Sequence, residues 1–225
     1  MLVFGDSLGQ QIARGLTGSG SQTQQLEVVD ETRKGCGVAR GGWENDLRRD
    51  KAACDRWPDR VRARLASFDP DIVVVATAGW DLVERRVPGD KSPRTIGDPV
   101  FDAWLVEQLE EGHAILSETG AHVAWLTVPC VYSEKFENIG VFRPERPKHY
   151  NSEILPRVAE SHRASMTVLD LFSAICPEGL FAQDAHGMRD FRPDGIHFSQ
   201  EGTRWVGAWL GGELVPLGAR VPRTE

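Results

Sequence analysis

The sequence predicts an α/β protein built on a five-stranded parallel sheet in the flavodoxin-like order 2-1-3-4-5. Two observations carry that expectation. Short apolar runs alternate along the whole chain with longer segments of helical periodicity. One run, residues 71–78 (Asp-Ile-Val-Val-Val-Ala-Thr-Ala), is almost continuously apolar and β-branched, as a strand covered on both faces must be. No repeat or low-complexity segment interrupts the alternation, so right-handed crossovers are expected. In such sheets ligands sit beyond the carboxyl ends of the strands.

The elements follow in order. Val3-Phe4 form a first strand that stops at Gly5-Asp6-Ser7, and Leu8, Ile12 and Leu16 begin a helix at once. A Gly/Ser/Thr-rich turn over 17–23 leads to a short second strand, Leu26-Glu27-Val28-Val29. Residues 33–42 form a loop with four glycines but no G-x-G-x-x-G fingerprint and no Walker lysine, which leaves a nucleotide cradle unsupported. Trp57, Val61 and Leu65 recur every four residues and predict a helix over 55–68. After the third strand and a polar loop over 84–99, a helix over 100–119 carries Trp104, Leu105, Leu109 and Ile115. Residues 123–128 read as the fourth strand, 150–163 as a helix and 167–171 as the fifth strand. A closing helix runs from a Ser199 cap to about 214. Two long loops, 131–149 and 176–193, follow strands four and five, where functional loops gather.

Composition narrows the function. A net charge of -7 and a pI near 5.4 supply no basic stripe for phosphates, so nucleic acid is not an expected partner. No apolar run approaches the roughly 20 residues of a membrane helix, and no signal peptide precedes the first strand. A methionine placed so close to a core strand suggests a free-standing enzyme or a domain cut from a longer protein. One domain over 1–225 suits the length. The four cysteines (Cys36, Cys54, Cys130, Cys176) lack C-x-x-C spacing, which argues against zinc; composition leaves their pairing, and hence the compartment, open.

Ser7 stands where a strand hands over to a helix, with backbone amides able to face a developing anion. By itself it reads first as a good N-cap. The decisive addition is Asp194-Gly-Ile-His197 just before the last helix: the spacing lets the carboxylate orient the imidazole. Nucleophile, orienter and base then occur in the order Ser…Asp…His.

On these blocks the chain resembles the SGNH (GDSL) hydrolase superfamily over nearly its full length. Gly5-Asp6-Ser7-Leu8 resembles the nucleophile block and Asp194-Gly-Ile-His197 the final one. The resemblance implies a three-layer α/β/α sandwich and ester hydrolysis or transfer through an acyl-serine, with Ser7, Asp194 and His197 catalytic and no metal or organic cofactor. It places an oxyanion donor at Gly35 or Gly37 beside the Ser7 amide. The third block departs from the family: where Gly-x-Asn-Asp is expected, the chain reads Ala78-Gly79-Trp80-Asp81, with Trp in place of the Asn donor. Asp6, Trp80 and Asp81 are pocket candidates, Trp80 as a wall.

That departure, the Gly-Cys-Gly loop, Cys54 and Trp57, and the stretch 96–102 are similar to SGNH domains fused behind acyltransferase-3 type membrane acyltransferases, especially actinobacterial ones. The implied substrate is a short, acetyl-like ester of a carbohydrate or cell-surface glycan. The implied partner is a membrane acyltransferase domain in cis, and the implied location the extracytoplasmic face, without direct membrane insertion. Disulfides Cys36–Cys54 and Cys130–Cys176 go with that resemblance. The alternatives are a weakly active or inactive glycan-binding accessory domain that presents acceptor to a membrane acyltransferase, and a free-standing cytoplasmic esterase. Elsewhere, His113, His122, His149, His162 and His186 read as solvated or capped, with lining of the site a secondary reading for His149 and His186 in the long loops. Trp43 reads as a stacking platform, Asp170 as a loop anchor, and Arg189 and Arg192 as a solvated pair flanking the last block.

Overall fold

Strands β1 (Leu2–Gly5), β2 (Val29–Asp30), β3 (Ile72–Ala76), β4 (His122–Leu126) and β5 (Met166–Leu169) pair in parallel in the order β2-β1-β3-β4-β5. The registers Leu2↔Val73, Val73↔Val123 and Val123↔Met166 run straight across the sheet. The computed structural model describes residues 1–18, 26–42, 51–133 and 143–218. Trp43, Phe136 and Phe142, and with them one expected stacking platform, lie outside the described residues.

Every residue of β1 and β3 is buried, because helices cover both faces. Successive side chains point to opposite faces and build two cores. Leu2, Phe4, Val73, Val75, Val123 and Trp125 meet α3 (Trp57–Phe68), α4 (Pro99–Leu116) and α6 (Leu155–Ser161). Val3, Ile72, Val74, Ala124 and Leu126 meet α1 (Ser7–Gly18) and the last helix, α8 (Gln200–Gly218). The three-layer expectation holds.

Details shift. The second strand forms at Val29–Asp30 rather than 26–29. Asp30 Oδ1 accepts from the Thr32 N–H at 3.0 Å, while the Glu31 and Arg33 N–H groups still donate to the Val3 and Gly5 carbonyls and keep the chain alongside β1. The helix expected over 55–68 forms as α3, with Pro58 in its first turn, and a short helix that was not expected, α2 (Lys51–Asp55), precedes it. The helix expected over 150–163 starts earlier, as α5 (Glu145–His149), and passes through a π turn, Tyr150–Ile154, before α6. Pro156 has no N–H and crowds the carbonyl four residues back, so the helix cannot run through uniformly. A further short helix, α7 (Leu171–Ile175), follows β5 directly, with Asp170 accepting from the Ser173 N–H as its cap.

The contact that matters most for the site is α1 against α8. Gly15 and Gly207 meet backbone to backbone, and a Cβ on either would overlap the other helix. The close crossing draws the two ends of the chain together, and with them Ser7 and His197.

Candidate active site

Ser7 is the first residue of α1, directly after β1. Asp6 anchors the turn: Oδ1 accepts from the Leu8 N–H at 2.8 Å and Oδ2 from the Ala78 N–H at 2.7 Å. It is fully buried, and burial raises its carboxyl to about 6 against the pull of the Ala78 and Leu8 amides. Asp6 therefore lies behind the pocket, where it ties the end of β1 to the chain leaving β3.

At the other end of the chain, Asp194 Oδ1 accepts from the backbone N–H groups of Ile196 (3.0 Å) and His197 (2.7 Å). Its second oxygen meets His197 Nδ1 at 2.7 Å, and His197 Nε2 meets Ser7 Oγ at 2.7 Å. Partial burial pushes the Asp194 carboxyl up, but the bonds from His197 and the two amides outweigh it and hold it below the usual carboxylate range. With Asp194 ionised, Nδ1 carries the proton and Nε2 is left to accept from the serine hydroxyl.

A contact that motif reading does not anticipate locks these two ends together. Gln11 donates from Nε2 to the Phe198 carbonyl at 2.9 Å and accepts the Phe198 N–H on Oε1 at 2.8 Å. Gln11 lies four residues after Ser7 on the same helix face, which is the one signal the sequence offers for it.

The glycine loop forms the opposite wall. Asp81 Oδ1 accepts from the Ala39 N–H at 2.8 Å. Gly37 lies flat on the Asp81 carboxylate, with no room for a Cβ. Asp55 accepts the Gly41 N–H at 2.8 Å, Arg85 donates to the Gly41 carbonyl at 2.8 Å, and Trp57 Nε1 donates to the Val38 carbonyl at 2.8 Å. Among the described residues, the N–H groups of Gly35 and Gly37 have no acceptor within the chain. Asp81 is fully buried; burial raises its carboxyl, against Arg85 and the Ala39 and Val38 amides. Like Asp6, Asp81 holds backbone in place and cannot line a pocket. Trp80 is half-buried, its carbonyl accepts from Arg85 Nη2 at 3.2 Å, and among the described residues its indole N–H has no recorded acceptor.

Both disulfides, Cys36–Cys54 and Cys130–Cys176, are formed. The first ties the glycine loop to α2; the second joins the chain after β4 to the end of α7.

Several side chains lie elsewhere than expected. Arg192 is fully buried, not solvated, while Arg189 is exposed. His149 pairs with Asp102 of α4 at 2.7 Å, and His186 stacks on Trp205 at 3.6 Å. His113 is buried and stacks on His162 at 3.9 Å, so these two are not simply solvated. Among the described residues no group of three or more metal-ligating side chains gathers, and no helix is long and apolar enough to cross a membrane.

Residues 1–210 match the profile of the family described as "Protein of unknown function (DUF459)". The chain is a DUF459 protein. A search of curated protein sequences found no match. Solved structures share its fold. A GDSL-like lipase from Bacteroides thetaiotaomicron superposes with a TM-score of 0.61 at 11% identity, over 96% of this chain and 87% of that one. The aryl esterase of M. smegmatis gives 0.59 at 18% identity, over 96% and 98%. The periplasmic domain of a lipopolysaccharide acetyltransferase from Salmonella ser. Paratyphi A gives 0.59 at 13% identity, over 95% and 83%. At these identities the likeness is one of fold, and it places this DUF459 protein on the SGNH/GDSL hydrolase scaffold.

Proposed function

We propose that this DUF459 protein is a serine-dependent ester hydrolase or O-acyltransferase. The observation that carries the reading is the unbroken chain of 2.7 Å contacts from Ser7 Oγ through His197 to Asp194, closed across 190 residues of sequence. Serine, imidazole and carboxylate in that arrangement form an activated nucleophile.

His197 Nε2 takes the hydroxyl proton as Ser7 Oγ attacks the ester carbonyl, and Asp194 stabilises the imidazolium. The carbonyl oxygen becomes an oxyanion facing the N–H of Ser7, at the positive end of α1, and the N–H of Gly37. Gly37 is preferred to Gly35 because Asp81 fixes the backbone on its side. Collapse of the tetrahedral intermediate expels the alcohol, which takes its proton from His197. Water or a sugar hydroxyl then loses a proton to His197, attacks the acyl-serine and frees Ser7.

The substrate we favour is a short acyl ester of a carbohydrate or cell-surface glycan, on the extracytoplasmic side. Two formed disulfides support an oxidising compartment, and the fold shared with a lipopolysaccharide acetyltransferase domain is in keeping with glycan acylation. The domain would span 1–225 and act in cis with a membrane acyltransferase. The disulfides weigh against a free-standing cytoplasmic esterase. A second reading, an accessory domain of low activity that presents acceptor glycan, is favoured by one observation: Trp80 stands where the family's oxyanion asparagine is expected. Ser7→Ala should lower turnover of p-nitrophenyl acetate by at least about 10³-fold; unchanged turnover would sink the mechanism.

A further inference from the structure

Arg192 is fully buried, and among the described residues no carboxylate faces it. Burial lowers its guanidinium to about 10. A buried cation is expensive to desolvate, and an apolar side chain would fill the same space at less cost. What the guanidinium supplies is a rigid fork of donors. Nη1 donates to the Cys130 carbonyl, and Nη2 reaches the carbonyls of Ile175 (3.2 Å) and Ala182 (3.4 Å). The ring of Phe181 lies 4.6 Å from the guanidinium carbon. The three carbonyls belong to three separate segments: the chain after β4, the end of α7, and the loop that returns toward α8.

The backbone of the same residue builds the turn that carries Asp194. The Arg192 N–H donates to the Gln183 carbonyl at 3.2 Å, and the Arg192 carbonyl accepts the Gly195 N–H at 3.0 Å, with Asp194 inside the turn. The Gly195 carbonyl in turn accepts from the Tyr132 N–H at 3.0 Å, two residues beyond Cys130. Guanidinium, turn and the Cys130–Cys176 bridge thus form one closed frame. Asp194 and His197 need it, because their side chains remain 56% and 34% exposed; side chains so open to solvent are aimed by their backbone rather than by packing.

We propose that Arg192 is a positioning residue that fixes the Asp194–His197 turn against the Cys130–Cys176 segment and so sets the aim and basicity of His197. The inference rests on reading Ser7, His197 and Asp194 as a catalytic relay. Loosening the turn weakens the Asp194–His197 bond and the support it gives the imidazolium.

The test compares Arg192→Met, Arg192→Lys and the milder Phe181→Leu with Val158→Ala, a destabilising control in the core on the opposite sheet face. Tm, kcat and KM on p-nitrophenyl acetate, and the NMR titration of the His197 ring are followed in each. In Arg192→Met we expect kcat to fall about 30-fold with KM within about twofold. The NMR titration of the His197 ring should change from wild type, with Arg192→Lys intermediate and Phe181→Leu smaller in the same direction. Val158→Ala should lose Tm without either change. If neither Arg192 variant folds, Phe181→Leu decides alone. The inference is overturned if, at matched loss of Tm, these variants lose no more turnover than Val158→Ala and His197 titrates as in wild type. A wild-type enzyme without Ser7-dependent turnover would instead contradict the catalytic reading itself, while the NMR titration would still report whether Arg192 holds the turn.

Discussion

The His197 turn and the Gly37 loop are built from the same three parts used differently. Each has a disulfide, a buried arginine donating to backbone carbonyls, and an aspartate that engages two successive amides: Asp194 those of Ile196 and His197, Asp81 those of Val38 and Ala39. Arg85 sits among Asp81 and Asp55, whereas among the described residues Arg192 faces carbonyls, the Cys130 sulfur and an aromatic ring, with no carboxylate. Asp194 is half-exposed and held below the usual carboxylate range, so it meets His197 as a full charge. Asp81 is buried and raised, and it serves the backbone. One half of the site is organised to move a proton and the other to hold amides still. In the first half the Ser7–His197–Asp194 relay is complete in its hydrogen bonds, while among the described residues the buried Arg192 Nε has no partner; the second half has Trp80 where an asparagine donor is expected.

The largest expected effect breaks the complete half. Asp194→Asn keeps the shape but supplies an amide N–H or an uncharged oxygen to His197, and kcat should fall about 10³–10⁴-fold. A loss under tenfold, measured against p-nitrophenyl acetate, would show that Asp194 acts only as a turn cap. On the other half, Asp81→Ala frees the 37–39 backbone and should lower kcat about 10–100-fold, with the rate and not KM carrying the loss. Trp80 sharpens the contrast. Trp80→Phe removes the indole N–H but keeps an aromatic wall, and turnover should stay within about threefold; a loss of about 10²-fold would identify the indole as an oxyanion donor. Gln11→Leu cuts the tie between the Ser7 helix and Phe198, and we expect a several-fold fall in kcat with a Tm loss of a few degrees.

The sequence made the topology legible because parallel strands covered on both faces leave unmistakable apolar runs. Ser7, Asp194 and His197 were legible because each stands beside a helix start in a short motif. Arg192 was not: its burial is produced by three segments distant in sequence, and a charge beside an exposed aspartate reads as solvated. Gln11 has no motif, only its spacing from Ser7. The second strand was misplaced because an apolar pattern on an edge strand does not set its register, and α7 was missed because its five residues follow the strand without a break and are too few to show a helical period.

The smallest expected effect lies far from the site, in the His113–His162 stack. Burial, then His162, lowers His113 to about 4 from an ordinary 6.5. The unfolded chain therefore binds a proton in that window that the folded protein refuses, so stability is full above 6.5 and falls as pH drops toward 4. The Tm advantage of wild type over His113→Leu should shrink across that interval. An advantage independent of pH would contradict the assignment.

The most direct measurement of the central claim is active-site labelling with a fluorophosphonate probe, located by peptide mass spectrometry. Stoichiometric modification of Ser7, lost in His197→Ala, is the predicted result. A folded protein whose Ser7 remains unlabelled, or labels equally well without His197, would contradict the account.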